Sequence, residues 1–144
     1  MRVVVVGSGL AGLVVALRAS RRHAVTLLTK ADLVESTTRY AQGGIAAGLS
    51  PDDVDAHIAD TIAAGAGLCT PEAVRALCTA GPERIEDLIA LGVRFDTAAG
   101  SPDRTTEGAH SAPRILHAGG DQSGRAIMRA LGRRLRDAPV QVSE

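Results

Sequence analysis

Gly7, Gly9 and Gly12 form a G-x-G-x-x-G pattern directly after a run of four valines, and backbone chemistry gives that spacing a use. In a dinucleotide fingerprint the first glycine permits a tight turn, the second lets the backbone approach a pyrophosphate, and the third allows close helix-to-strand packing. Amide groups at the start of the following helix then face the phosphates. A second group of residues, Ser36, Thr37, Thr38, Tyr40 and Gln42, sets hydrogen-bonding side chains against the pair Gly43 and Gly44. Such a pair permits close approach of the backbone to a ligand, although its composition also suits a solvated loop. A third group, Glu107 and His110, flanks Gly108 in "TTEGAHSAPRILH", off any periodic face.

The elements that must carry these residues follow from hydrophobic patterning. Val3–Val6 reads as a strand buried on both faces. The helix after it places Leu10, Leu13, Val14 and Leu17 on one side, and "AVTLL" at residues 24–28 reads as the second strand. An acidic residue is expected at the end of that strand to bind ribose hydroxyls, but the chain has Thr29 and Lys30. This chemistry leaves NAD, NADP and FAD open.

Residues 51–96 read as three helices and a strand. The first begins at Ser50 and Pro51 and ends at Gly65 to Gly67. Thr70 and Pro71 open a second, which Gly81 stops. The third starts at Pro82 and ends at Gly92, before an extended run from Val93 to Phe95. "PRILH" reads as a strand, and a helix with Ile127, Leu131 and Leu135 follows, capped by Asp121 or Ser123. Its Arg129, Arg133, Arg134 and Arg136 read as a solvated face. The closing "VQVSE" reads as the start of another strand, and His57 as a surface or packing residue.

Composition narrows the partners. The 144 residues carry 16 basic and 16 acidic side chains, so the charge footprint of a nucleic-acid binder is missing. The amino-terminal apolar run is too short for a signal peptide or a membrane span. Cys69 and Cys78 lack zinc-site spacing and read as small buried residues, so no metal is expected and a cytoplasmic setting is the default.

Taken together, the glycine fingerprint, "STTRYAQGGIAA" and "TTEGAHSAPRILHAGGDQSGRAI" resemble the L-aspartate oxidase family, within the succinate dehydrogenase and fumarate reductase flavoprotein group. The resemblance covers essentially the whole chain. It implies an α/β, Rossmann-like FAD-binding domain with inserted helices, of which residues 1–144 are the amino-terminal part. On this basis the capping and C-terminal helical domains lie outside the chain. The implied cofactor is FAD, with Gly7, Ser8, Gly9, Leu10, Ala11 and Gly12 at the pyrophosphate, Lys30 at the adenosine side, and Thr37–Gly44 at the flavin side. Covalent members of the group carry a His where this chain has Thr37, so the resemblance implies noncovalent FAD. Arg39 stands where that pattern leads one to expect an apolar or aromatic residue.

The implied reaction is oxidation of L-aspartate to iminoaspartate, with oxygen or fumarate as acceptor, as the first step of NAD biosynthesis. Glu107 would face the substrate ammonium and His110 would orient a carboxylate or Glu107. The family's proton acceptor belongs to the capping domain, and no position here corresponds to it. The resemblance further implies the next enzyme of quinolinate synthesis as a partner. A soluble fumarate reductase or succinate dehydrogenase-type flavoprotein, and a nonenzymatic partial domain, are the rival readings.

Overall fold

The computed structural model describes residues 1–144 as two compact units. The first comprises Met1–Gln42, Leu91–Arg94 and Gln122–Glu144, and the second Gly43–Ala90 and Phe95–Asp121. The segments of the two units alternate along the chain.

The first unit contains β1 (Arg2–Val6), α1 (Leu10–Ala19), β2 (Ala24–Leu28), a 3-10 turn at Thr37–Tyr40, α4 (Ser123–Arg136) and β8 (Val140–Ser143). Its sheet runs β1-β2-β8 and is parallel throughout, with Val5 opposite Leu27 and Leu27 opposite Val142. Helix α1 buries Leu13 and Ala16, and α4 buries Ile127, Met128, Leu131 and Leu135. Full burial of each of these large side chains is worth ~1.5–3 kcal/mol. The four arginines expected on the solvated face of α4 are exposed.

Three local readings change. The valine strand is covered on one face only: Val5 is buried, while Val4 is 61% and Val6 80% exposed. A β-branched run satisfies a half-buried strand as well as a fully buried one, so composition cannot separate the two. At α4 the N-cap is Gln122, with no side-chain capping bond, rather than Asp121 or Ser123. Ser123 is instead buried as the first residue of the helix. The strand expected from Val93 to Phe95 does not form, although Val93 and Phe95 are both buried.

The second unit contains β3 (Ile45–Ala46), α2 (Pro51–Ala64), α3 (Pro71–Ala90), β4 (Thr97–Ala98), β5 (Ser101–Pro102), β6 (Arg104–Thr105) and β7 (Ile115–Leu116). The Ser50 hydroxyl accepts the Asp53 amide at 3.3 Å and caps α2 as its sequence suggests. The break expected at Gly81 and Pro82 is absent, and α3 is continuous through both. An interior proline removes one helical hydrogen bond. Against that loss, Val74, Cys78, Ile85 and Leu88 form one buried stripe running across the break point. Ile58, Val74 and Cys78 make the core between α2 and α3, and His57 is a buried packing residue. Cys78 is buried as expected and Cys69 partly so; both are free thiols. Strand β7 lies centrally in an antiparallel sheet of order β3-β7-β6. No helix is long and apolar enough to cross a membrane.

Candidate functional site

In the first unit the turn between β1 and α1 is built by glycine. Gly7 has φ +102°, in the region that favours glycine, and its amide donates to the Leu28 carbonyl at 2.8 Å. A Cβ at Gly12 would overlap the Gly7 carbonyl oxygen, so helix and strand meet closer than any side chain allows. The Leu10 amide donates to Thr38 Oγ1 at 3.3 Å, which ties the 3-10 turn to the helix start. Amides of the first helical turn lack intrahelical acceptors, and this end of α1 contains no acidic residue to occupy them.

Ser8 is buried with its hydroxyl 2.8 Å from Thr29 Oγ1. Thr29 donates its own proton to the Ala31 carbonyl, so Ser8 is the donor of the pair. Thr29 therefore fixes the end of β2, a role that a search for an acidic residue passes over. Lys30, beside it, is exposed.

The 3-10 turn is seated on α4. A Cβ at Gly124 would strike the Thr38 carbonyl, and the Gly124 amide donates to the Ala41 carbonyl at 3.3 Å. Arg39 bonds Glu35 at 3.0 Å and Tyr40 donates to the other oxygen of that carboxylate at 2.5 Å. The Glu35 bond, followed by its charge, raises the Tyr40 pKa. Both side chains thus turn to Glu35. Arg39, which departs from the expected pattern, has a local partner that accounts for it. Thr37, Ala41 and Gln42 are exposed, while the Ser36 hydroxyl is buried and has no hydrogen-bond partner.

The second unit holds Gly43, Gly44 and the Glu107 loop. Gly43 has φ +76° with open space beside it. Gly44 lies against β7: an added Cβ would meet the Ile115 side chain and stand 2.6 Å from the Leu116 carbonyl oxygen. It would also be 3.2 Å from His117 Cε1. Glu107 and His110 are joined in a turn, with the His110 amide donating to the Glu107 carbonyl at 3.2 Å. Ala109 takes φ +67° at its third position.

Arg114 anchors this turn and is fully buried. Its Nε donates to Asp53 at 2.9 Å and its Nη1 to Asp60 at 2.5 Å, both on α2. Burial opposes its charge, but the bonds to Asp60 and Asp53 outweigh this and raise its pKa. Asp60 also accepts the amide and hydroxyl of Ser111, at 2.8 and 2.7 Å. The Ser111 amide and the Arg114 guanidinium hold the Asp60 carboxyl well below the usual carboxylate range. Arg114 Nη1 lies 3.1 Å from His110 Nδ1. Arginine only donates, so a neutral His110 carries its proton on Nε2. His57 packs 5.6 Å from the His110 ring; burial, then the positive charge of Arg114, lowers its pKa.

Glu107 has a partner that the sequence did not single out. His117 Nε2 lies 3.4 Å from Glu107 Oε1 and 3.0 Å from Thr105 Oγ1, while Nδ1 lies 3.2 Å from the Gly120 carbonyl. Asp96 fastens that loop by accepting the Gly119 and Gly120 amides, each at 2.9 Å. These amides, Gly120 first, lower the Asp96 pKa.

Known proteins share the sequence and the fold of this chain. Residues 2–144 match the family described as FAD binding domain. The chain is 53% identical over 129 residues to "L-aspartate oxidase 2-b, chloroplastic" of Nicotiana tabacum, covering 88% of this chain and 20% of that protein. It is 51% identical over 132 residues to "L-aspartate oxidase" of Streptomyces coelicolor, covering 90% and 23%. It thus spans about a fifth of the length of these relatives. Among solved structures, the apo Sdh1 complex of Mycobacterium smegmatis superposes with a TM-score of 0.86 at 28% identity, covering 96% of this chain and 26% of that one. A quinol-fumarate reductase with menaquinol gives 0.87 at 26% identity, covering 98% and 25%.

Proposed function

Since the chain belongs to the FAD-binding domain family, we propose that it forms the amino-terminal part of a flavoenzyme that oxidises L-aspartate to iminoaspartate. Oxygen or fumarate accepts the electrons, and the reaction opens NAD biosynthesis. The observation that carries the cofactor assignment is the closed glycine turn, where Gly12 leaves no room for a Cβ against the Gly7 carbonyl. Around it, Gly7, Ser8, Gly9, Leu10, Ala11 and Gly12 form the pyrophosphate loop: the Gly7 and Leu10 amides shape it through their bonds to Leu28 and Thr38, and the other backbone amides face the phosphates. Lys30 serves the adenosine side, and the unpartnered Ser36 hydroxyl adds a buried polar group to the Thr37–Gln42 segment. Gly43 and Gly44 continue this flavin-side segment, and His110 presents Nε2–H to a substrate carboxylate. With Thr37 at the position of the covalent His, the FAD is held noncovalently.

When bound, the flavin supplies the hydride acceptor. The protein's part is selection and orientation. Glu107 is half-exposed, and a carboxylate there favours an ammonium-bearing dicarboxylate over succinate. Relatives above 50% identity carry the aspartate oxidase name, whereas the succinate and fumarate enzymes match at 26–28%. This favours the aspartate reading over the second one. A cytoplasmic setting and contact with the next enzyme of quinolinate synthesis belong to the same proposal.

The test uses the complete gene product. Its visible spectrum is recorded before and after acid precipitation, with flavin expected in the supernatant. Flavin in the pellet would overturn noncovalent binding, and flavin neither present nor restored by added FAD would overturn the cofactor. L-Aspartate, and not succinate, is expected to bleach the flavin anaerobically; the reverse preference would support the succinate reading.

A further inference from the structure

His117 is fixed at three points. The Gly120 carbonyl can only accept, so Nδ1 carries a proton and donates to it across 3.2 Å. On a neutral ring Nε2 is then a lone pair, which accepts from the Thr105 hydroxyl at 3.0 Å. On a protonated ring Nε2–H points at Glu107 Oε1, 3.4 Å away. The ring cannot turn aside without losing the Gly120 bond, and Asp96 holds the Gly119–Gly120 backbone in place. The same ring sits beside Gly44, where a Cβ would come 3.2 Å from Cε1. One imidazole therefore joins the Gly-Gly segment to the carboxylate assigned to the substrate ammonium.

Other charges around the ring are spoken for. Asp96 faces it, bound to the two glycine amides. Arg104 on the adjacent strand reaches Asp53 at 3.7 Å, and Arg114 is held by Asp53 and Asp60. Glu107 is thus the acid whose partner changes when His117 gains or loses its Nε2 proton.

We propose that His117 is a positioning residue for Glu107 and sets its selectivity for an amino-bearing substrate. Neutral His117 leaves the Glu107 carboxylate to the substrate ammonium. Protonated His117 competes with that ammonium for the same oxygens, since two cations then share one anionic partner. The inference rests on the proposed binding of an amino dicarboxylate at Glu107. It predicts that KM for L-aspartate falls about tenfold with rising pH as the Nε2 proton leaves and the Glu107 carboxylate is freed for the ammonium. Affinity for succinate, which has no ammonium, stays level over the same range.

The experiment compares complete wild-type enzyme with His117→Gln and Glu107→Gln variants. KM for L-aspartate and competitive inhibition by succinate are measured against pH. Both variants should lose the aspartate-specific change while wild type retains it. Persistence of that change in His117→Gln, or an equal change for succinate, would overturn the proposal. If His117→Gln fails to fold, Glu107→Gln gives the same decision with the imidazole intact. NMR of ring-labelled histidine supplies a readout free of turnover: neutral His117 should be the Nδ1–H tautomer, and an Nε2–H tautomer would overturn the proposal. An enzyme that does not oxidise aspartate would instead count against the proposed reaction, and the tautomer would still decide the placement of His117.

Discussion

Gly44→Ala isolates the close approach between β3 and β7. The added methyl would stand 2.6 Å from the Leu116 carbonyl oxygen, with the Ile115 side chain also in its path. Ordinary carbon–oxygen contact is about 3.3 Å, so the segments must part by ~0.7 Å. Pairing here consists only of Ile45 with Leu116 and Ala46 with Ile115. A shift of that size costs one or two ladder hydrogen bonds, at about 0.5–1.5 kcal/mol each. The sum, about 2 kcal/mol, agrees with the usual cost of overpacking. It corresponds to roughly thirtyfold in the folding equilibrium.

Urea unfolding of the complete gene product, followed by far-UV circular dichroism, measures it. Gly108→Ala is the control, because nothing lies within 4 Å of its added Cβ and its φ is not positive. That change should be neutral or stabilise by about 0.4–1 kcal/mol through the unfolded chain. Equal effects of the two substitutions would refute the close approach.

Two further outcomes follow from the Glu107 loop and its anchors. Asp60 and Asp96 have depressed folded-state pKa values, so their stabilisation is complete above the unfolded carboxylate pKa, about 4, and is lost as pH falls below it. The stability difference between wild type and Asp60→Asn should therefore be constant near neutrality and shrink on acidification, as urea midpoints from pH 7 to pH 3 would record; a pH-independent difference would contradict it. Ala109→Gly removes strain of ~1–2 kcal/mol at a positive φ while adding ~0.5–1 kcal/mol of unfolded-state entropy. A small rise in melting temperature is expected, and a clear fall would show that Ala109 is held by contacts of its own.

Where the local pattern was self-sufficient, the fold was legible in it. The spacing of Gly7, Gly9 and Gly12 between two apolar runs gave strand, turn and helix correctly, because each choice there depends on near neighbours. Gly81 and Pro82 misled for the opposite reason: both disfavour a helix locally, yet a buried stripe from Val74 to Leu88 carries α3 through them.

The candidate site divides in the same way. Sequence by itself determined the glycine turn, the Gly43–Gly44 pair and the Glu107–His110 turn, since backbone freedom and short spacing are written in consecutive residues. Tertiary structure alone decided that Arg114 is buried between Asp53 and Asp60, 61 and 54 residues away, and that it fixes the tautomer of His110. It also decided that His117 stands against Glu107. Charge pairing acts through space and has no period along the chain, so only the folded arrangement of α2, β7 and the Glu107 loop could specify it.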